Sequence, residues 1–460
     1  MDTPVADFID GYEKSGTVRA HMPGHKGRGS IFAPSDITEI AGADSLYDAG
    51  GIIRRSEENA ASLFGAGRTF YSAGGSSQCL KAMCLLACMA SGRGPGRPVI
   101  AAARNAHSSF ISASMLAGFD IAWIPPEDDE FSVCRCTVTP EGLADFLRGF
   151  IDERGSAPAA VLITSPDYLG NIADIRGLAE ASHSIDVPLI VDNAHGAYLK
   201  FMPEDMHPMT LGADACCDSA HKTLPVLTGG AYLHISERGP EIFESGAPAA
   251  LSYFGSTSPS YLILRSLDEV NPYLENGIRD DLRAVSERVG EMKRTCEDAG
   301  IVFTGSEEIK VTADCPASGL GPGTDAASAL RARGVECEFA DRDYVVLMFS
   351  GSSTPEDIER AETALSDIAA RGSGKSPAAA RPAFRLPEVR YQPRETLYMT
   401  SEYAALEEAA GRAASGEDVS CPPAVPLAVR GEVIDENMIR VMRYYGIEKV
   451  SVLKEGGICR

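Results

Sequence analysis

A short apolar run ends in a carboxylate in the stretch Pro188-Leu189-Ile190-Val191-Asp192-Asn193-Ala194-His195-Gly196. A run of this length, bounded by Pro and by polar turn residues, is typical of a buried strand in a parallel sheet. Similar runs alternate with helix-compatible stretches from about residue 63 to about residue 235. This pattern predicts an α/β fold with a mostly parallel, seven-stranded sheet covered by helices. The candidate strands are Thr69 to Ser72, Pro98 to Ala102, Ile121 to Ile124, Ala159 to Thr164, Pro188 to Asp192, Ala213 to Asp218 and Gly230 to Ile235.

A lysine follows Asp192 along the chain, in Asp218-Ser219-Ala220-His221-Lys222-Thr223. In open parallel sheets the ligand lies outside the carboxyl ends of the strands, where we expect both Asp192 and the loop of Lys222. Pyridoxal 5′-phosphate (PLP) needs a lysine amine to hold its aldehyde as a Schiff base and a carboxylate to keep its ring nitrogen protonated. The pattern predicts these roles for Lys222 and Asp192, with His195 nearby.

A glycine- and serine-rich turn, Ala73-Gly74-Gly75-Ser76-Ser77, lies between the first candidate strand and an apolar run. The N-terminus of a helix binds phosphate because its free backbone N–H groups and the positive end of its dipole face the anion. Gly75, Ser76 and Ser77 are therefore candidate phosphate ligands. Taken alone, the segment favours a simpler interpretation, a turn with an N-cap serine.

A histidine follows the second candidate strand, in Arg104-Asn105-Ala106-His107-Ser108-Ser109. At a strand end its imidazole would project toward the cleft and could stack on the cofactor ring. The alternative is a helix start that Asn105 or Ser108 caps, with His107 exposed.

Neither a metal site nor disulfides are expected. His21 and His25 are spaced like metal ligands, but Pro23 and Gly24 lie between them and keep them off one helical face. The twelve cysteines contain no Cys-x-x-Cys pair. Such cysteines are typical of buried, reduced thiols that pack as small apolar residues.

The composition excludes several classes of partner. The chain has 460 residues, of which 65 are acidic and 42 basic, and its formal charge is −23. This charge repels nucleic acid and anionic membranes and tolerates a cationic small molecule. The N-terminus lacks a basic stretch before an apolar core, and no apolar run is as long as a bilayer span, so we expect a cytoplasmic protein.

Five segments are expected along the chain: an N-terminal arm (1–60), a large PLP-binding domain (61–265), a small α+β domain (266–371), a linker (372–383) and a C-terminal segment (384–460). The small domain has helical spacing up to about residue 300. It also has candidate strands at 301–303, 309–311 and 344–348. The linker is rich in Gly, Ser, Ala and Pro, a composition that resists packing.

Five ordered motifs together resemble the Orn/Lys/Arg decarboxylase family, PLP-dependent enzymes of the aspartate aminotransferase fold (fold type I). They are His21 to Gly27, Arg104 to His107, Ser165 to Gly170, Asp192 to Gly196 and Ser219 to Lys222. The resemblance runs from about residue 17 to Met348, with a weaker echo at Cys421 to Leu427. Because no receiver-like domain precedes the first motif, the chain resembles the shorter members. The fifth segment, 384–460, would then be the C-terminal decarboxylase segment.

The resemblance implies a role for each matching residue. Lys222 would bind the cofactor covalently, Asp192 would pair with its ring nitrogen, Ala194 would pack under the ring and His107 would stack above it. The residues implied to hold the phosphate are Ser76, Ser77, Ser219 and His221. The family's active site lies at a dimer interface, which implies a homodimer, or a higher oligomer, in which Ser256 and Thr257 reach the partner subunit's cofactor.

The resemblance also implies the reaction, α-decarboxylation of lysine, arginine or ornithine to an amine and CO2 in polyamine biosynthesis. Lys222 or His195 would return a proton to Cα. The carboxylates considered for the cationic side chain of the substrate are Asp44, Glu57 and Asp167.

Two alternatives stay open. An aminotransferase, aldolase or lyase of this fold could hold the substrate carboxylate with Arg331, Arg333 or Arg342. A non-catalytic regulatory protein could also keep the fold, although Lys222, Asp192 and His107 are all retained.

Overall fold

The computed structural model describes residues 1–92, 96–127, 132–371, 381–416 and 424–458. Most of the expected linker, 372–380, and the first three residues of the 421–427 motif lie outside the described residues.

A seven-stranded sheet has the strand order β1-β7-β6-β5-β4-β2-β3. The strand β7 runs antiparallel to its neighbours β1 and β6, whereas the pairs β2/β3, β4/β5 and β5/β6 are parallel. The seven strands are β1 (Arg68–Ser72), β2 (Val99–Ala103), β3 (Asp120–Ile124), β4 (Ala160–Thr164), β5 (Leu189–Asp192), β6 (Ala215–Asp218) and β7 (Ala231–Ile235). All seven candidate strands are confirmed to within two residues, and the α/β fold class with them.

Two smaller sheets lie later in the chain. One has four antiparallel strands in the order β10-β11-β9-β8, which are β8 (Phe303–Thr304), β9 (Lys310–Asp314), β10 (Phe339–Ala340) and β11 (Tyr344–Met348). The other pairs β12 (Met399–Ala405) with β13 (Lys449–Ile458). The sequence indicated β8, β9 and β11 but not β10, β12 or β13.

Sixteen α-helices occur in the described residues. They are α1 (Pro4–Lys14), α2 (Ile52–Phe64), α3 (Gly75–Ala90), α4 (Ser108–Ala113), α5 (Pro140–Arg154), α6 (Ile175–His183), α7 (Pro208–Leu211), α8 (Ala220–Thr223), α9 (Glu241–Phe254), α10 (Tyr261–Glu269), α11 (Asn271–Asn276), α12 (Ile278–Asp298), α13 (Cys315–Ser318), α14 (Gly323–Arg331), α15 (Pro355–Arg371) and α16 (Glu436–Tyr444). No helix of the described residues is both long enough and apolar enough to cross a membrane.

The chain divides into two compact units. The first unit comprises residues 1–96, 150–165 and 175–282, and the second comprises 97–149, 166–174 and 283–460. The strands β5, β6 and β7 of the first unit are buried at every residue, as expected for strands covered on both faces. The five segments expected from the sequence stay a prediction.

The cysteines of the described residues form no disulfide with one another. Seven of these ten thiols are buried. Burial raises the pKa of the Cys216 and Cys217 thiols well above the ordinary range, so these thiols stay protonated.

Candidate functional site

The carboxylate of Asp192 stands at the carboxyl end of β5 and is almost fully buried, with 4% of its surface exposed. Its Oδ1 accepts the backbone N–H of Ala194 at 3.3 Å and the thiol of Cys217 at 3.7 Å. Nothing in the described part of the chain donates a hydrogen bond to Oδ2. A buried carboxylate with one oxygen available can hold a protonated nitrogen of a bound group.

The amine of Lys222 lies in the same unit, on the short helix α8 that follows β6. Its Nζ is 2.9 Å from Nε2 of His195, and the lysine side chain is half-buried. The neighbouring His221 donates from Nδ1 to the backbone oxygen of Gly230 at 3.0 Å. Burial and the adjacent Lys222 lower the pKa of His221, so its ring stays neutral near pH 7 and its Nε2 can accept a hydrogen bond.

The N-terminus of α3 carries the glycine and serine residues expected to bind phosphate. The helix begins at Gly75, and its N-cap is Gly74, so the alternative of an N-cap serine is wrong. The backbone N–H of Gly75 donates to the oxygen of Gly229 at 2.8 Å, and its φ of 72° suits a residue without a side chain. The backbone N–H groups of Ser76 and Ser77 belong to the first turn, which has no intrahelical acceptor.

A hydroxyl pair joins this helix end to the loop of Lys222. Ser219 donates from its hydroxyl to Oγ of Ser76 at 2.7 Å. Two of the three serines expected to bind phosphate, Ser76 and Ser219, are therefore neighbours, although 143 positions separate them in the chain.

His107 lies in the second unit, where it caps a helix with its own side chain. Its Nδ1 accepts the backbone N–H of Ser109 at 3.0 Å, which makes His107 the N-cap of α4. The alternative in which Asn105 or Ser108 caps this helix is therefore wrong. Because Nδ1 accepts, the neutral ring carries its proton on Nε2, and the imidazole plane is held by the cap.

The remaining expected residues are also placed. Ala194 is half-buried in the turn after β5. Ser256 and Thr257 are exposed in the loop that follows α9, and the Oγ of Ser256 accepts the backbone N–H of Ser258. His21 and His25 turn to different partners, since His21 contacts the hydroxyl of Tyr12 and His25 contacts the carboxylate of Asp36.

The donor set of the first unit fits PLP. An amine, a buried carboxylate with an available oxygen, a helix N-terminus and a pair of serine hydroxyls match the aldehyde, ring nitrogen and phosphate of that cofactor. A Cβ added at Gly75 would meet no atom within 4 Å, so there is open space beside the helix end.

Two of the carboxylates that were considered as substrate ligands instead stabilise the fold. Asp44 accepts the backbone N–H groups of Gly50 at 3.1 Å and Gly51 at 2.8 Å; burial opposes its ionisation, but these bonds lower its pKa. Glu57 is buried and pairs with Arg68 at 3.0 Å. Burial raises the pKa of Glu57 to about 8. Neither carboxylate is available to a substrate.

The third carboxylate, Asp167, closes its own turn. It accepts the backbone N–H groups of Leu169 and Asn171, both at 2.9 Å, and the side-chain amide of Asn171 at 2.7 Å. Burial raises the pKa of Asp167 to about 6. Asp167 was considered as a substrate ligand, but these contacts make it a buried turn residue.

The three arginines considered for an aminotransferase have partners within the second unit. Arg331 pairs with Glu336 at 2.7 Å, Arg333 donates to the oxygen of Ala329 at 2.8 Å, and Arg342 lies over the ring of Tyr444.

Sequence reasoning missed a buried network in the first unit. Asp218, at the end of β6, is fully buried, and its Oδ2 lies 2.9 Å from Nε2 of His207 and 3.3 Å from Nε2 of His234. Burial opposes its ionisation, but the two histidines hold the pKa of Asp218 well below its usual range. A signal existed, because His234 interrupts the apolar strand β7 and must find a buried partner.

The family follows from a comparison of the whole sequence. The family model "Orn/Lys/Arg decarboxylase, major domain" matches residues 3–315, about two thirds of the chain. The chain belongs to this family. It is therefore an amino acid decarboxylase, and the resemblance stated from five motifs is confirmed.

Curated relatives match along nearly their whole length. An arginine decarboxylase of Bacillus subtilis is 29% identical over 468 residues, which cover 95% of this chain and 92% of that protein. An arginine decarboxylase of Halalkalibacterium halodurans is 28% identical over 470 residues, covering 96% and 93%.

Solved structures share the fold. Lysine decarboxylase A from Pseudomonas aeruginosa superposes with a TM-score of 0.80 at 18% identity, over 98% of this chain and 80% of that chain. The constitutive lysine decarboxylase of E. coli gives a TM-score of 0.77 at 18% identity, over 98% and 82%.

Proposed function

We propose that this chain uses PLP to remove the α-carboxylate of a basic L-amino acid, releasing the corresponding amine and CO2. The observation that best supports this proposal concerns Lys222. Its amine lies 2.9 Å from His195, and it belongs to the same unit as the buried carboxylate of Asp192. A lysine and a buried carboxylate at the carboxyl ends of neighbouring strands are what covalent PLP binding and ring protonation require.

The residues proposed to hold the cofactor follow from this placement. Lys222 would bind the aldehyde and Asp192 the ring nitrogen. Around them, Ala194 would pack under the ring and His107 would stack on it, while the phosphate would be bound by Gly75, Ser76, Ser77, Ser219 and His221. Bound PLP supplies an electron sink for the electron pair that remains on Cα when the carboxylate leaves.

In this proposal, side chains of the first unit stabilise developing charge and transfer a proton. Asp192, held by Cys217 and the N–H of Ala194, would hold the protonated ring nitrogen of bound PLP. Because the charge that this proton stabilises forms only after bond cleavage begins, Asp192 acts mainly on kcat. Lys222 Nζ and His195 Nε2 are close enough to share the proton that Cα takes up afterwards.

The proposed substrate class is arginine, lysine or ornithine. The family name and the names of the arginine decarboxylase relatives support a cationic side chain. The formal charge of −23 supports the same class, because an acidic surface attracts cationic ligands.

We further propose a homodimer in which Ser256 and Thr257 approach the partner subunit's cofactor. The exposure of both side chains, beside a Tyr253 that is 71% exposed, supports an interface at this loop. Light scattering of the purified protein should give twice the chain mass, and a monomeric mass with full activity would contradict the dimer.

A product assay tests the function. The protein is reconstituted with PLP and incubated with arginine, lysine, ornithine, glutamate and leucine, and CO2 and amine are measured. We expect release from a basic amino acid only, and loss of activity by roughly a thousandfold or more in Lys222→Ala.

Lys200→Ala is the matched control, since Lys200 belongs to the same unit but pairs with Asp205 at 2.7 Å. It should keep its activity. A keto acid as product, or equal activity in Lys222→Ala and wild type, would contradict the proposal.

A further inference from the structure

Asp218 lies one residue before the loop of Lys222, yet it has no contact that the proposed reaction uses. The side chain is completely buried in a network of polar groups from four segments of the first unit. A buried carboxylate of this kind destabilises the fold unless its partners compensate its charge. A completely buried carboxylate at this position therefore calls for a physical explanation.

The histidines hold one oxygen of Asp218. His207 caps α7 by accepting the N–H of Met209 at Nδ1, so its proton is on Nε2, which faces Oδ2 of Asp218 at 2.9 Å. His234 contacts the hydroxyl of Thr69 at Nδ1 and lies 3.3 Å from the same carboxylate oxygen at Nε2. We call His207, Asp218 and His234 the buried triad.

The hydrogen bonds of the buried triad argue against a bound metal ion. His207, Cys216 and Asp218 are close enough to ligate one ion. However, His207 accepts a backbone N–H at Nδ1, so a metal at Nε2 would require the fully deprotonated ring. The contacts fit a charge network better than a metal centre.

The other oxygen of Asp218 holds the turn that carries Asp192. Oδ1 accepts the side-chain amide of Asn193 at 2.6 Å, and Asn193 directly follows Asp192. The backbone N–H of Asn193 donates to the oxygen of Cys217 at 3.0 Å, and the thiol of Cys217 donates to Asp192. Three bonds therefore join the ends of β5 and β6 around the carboxylate of Asp192.

We propose that Asp218 is a positioning residue, which through Asn193 fixes Asp192 and His195 against the loop of Lys222. This inference rests on the proposed function. Both Asp218 oxygens act as acceptors: one is fixed by the histidines and the other holds Asn193. An asparagine at this position would place an N–H donor against the N–H of His207 or of Asn193, and the turn would have to move.

Asp214 provides a matched control at the amino end of β6. It precedes β6, is 5% exposed, and its Oδ2 accepts the backbone N–H of Leu189 at 2.8 Å and faces His183 at 2.7 Å. It is a buried aspartate with a histidine partner, like Asp218, but it lies at the amino end of the strand.

The experiment compares wild type, Asp218→Asn and Asp214→Asn as PLP-loaded proteins. The dissociation constant of PLP is measured by equilibrium dialysis, and the pH midpoint of the PLP absorbance band by titration. We expect PLP binding about tenfold weaker or more, with a shifted midpoint, in Asp218→Asn only. Equal behaviour of the two variants, or a wild-type dissociation constant and midpoint in a folded Asp218→Asn, would overturn the positioning role.

Asn193→Ala is a second variant that leaves the buried triad intact and removes its link to Asp192. It should reproduce the weaker PLP binding and the shifted midpoint, and wild-type values in this variant would overturn the inference even if Asp218→Asn does not fold. Failure of wild type itself to bind PLP would instead refute the proposed function, so the two failures are distinguishable.

Discussion

The two ends of β6 carry the same pair of residue types in different surroundings. At the amino end, Asp214 pairs with His183, whose side chain is 43% exposed. At the carboxyl end, Asp218 pairs with His207 and His234, all of them fully buried. The two aspartates lie in one unit and only four positions apart in the chain.

The position along the strand, not the residue type, therefore indicates a function. Asp192 and the loop of Lys222 lie at the carboxyl ends of β5 and β6, where ligands of parallel sheets bind. At the amino end of β6, the pair of Asp214 and His183 only stabilises the fold.

The largest effect is expected for Asp192→Asn. Turnover should fall by about a thousandfold with little change in KM, because the lost carboxylate stabilises charge that develops during bond cleavage. Steady-state CO2 release at saturating PLP measures this, with Asp214→Asn as the control that keeps wild-type turnover. Near wild-type turnover in Asp192→Asn would contradict a functional role for the carboxylate at the carboxyl end of β5.

The strand β2 offers the next contrast, between Arg104 after it and Arg97 before it. Arg104 donates to Glu432 at 2.9 Å with both side chains buried, and also to the oxygen of Leu427 at 2.9 Å. Arg104→Met leaves a buried, unpaired Glu432 and should lower the free energy of unfolding by about 3 kcal/mol or more.

The matched variant is Arg97→Met. Arg97 pairs with Asp120 at 3.2 Å, and its side chain is 42% exposed, so its loss should cost less than about 1 kcal/mol. Urea unfolding of both variants is the measurement. Equal losses would show that the carboxyl end of β2 holds no special pair.

A smaller effect concerns pH and the buried triad. Burial lowers the pKa of His234 below its usual 6.5, so the unfolded chain takes up a proton there more readily than the native one. The contribution of neutral His234 to the free energy of unfolding is therefore fully present above pH 6.5. It is lost as the pH falls below 6.5, by less than about 1.4 kcal/mol per pH unit. His234→Gln should flatten the dependence of the unfolding free energy between about pH 6.5 and 5, and an unchanged slope would contradict this.

The smallest effect is expected for Asp167→Asn. Asp167 follows the carboxyl end of β4, but the described hydrogen bonds of its carboxylate all lie within its own turn. The KM for each basic amino acid should therefore change by less than about twofold. A KM that rises about tenfold for these substrates would restore Asp167 as a substrate ligand.

The sequence predicted the large sheet well because its strands are short apolar runs between turn residues, a pattern that burial on both faces imposes. Asp192 and Lys222 were found because motifs at strand ends share one edge of a sheet. The strands β12 and β13 were missed. The burial pattern of β12 does not alternate, so it gives no period-two signal.

The carboxylates show where sequence reasoning fails. Asp44, Glu57 and Asp167 were considered for the substrate, yet each binds backbone N–H groups or a buried arginine. The sequence does not say which N–H groups lie nearby, because those groups come from the folded backbone. The buried triad was missed for the same reason, since His207, Asp218 and His234 meet only through the turn before α7 and the pairing of β6 with β7.

The proposed covalent bond between Lys222 and PLP can be detected by chemical trapping. The PLP-loaded protein is reduced with borohydride, digested and mapped by mass spectrometry. A single phosphopyridoxyl group on the peptide that contains Lys222 is the predicted result. An unmodified Lys222, or a phosphopyridoxyl group on another lysine, would contradict the proposed bond between Lys222 and PLP.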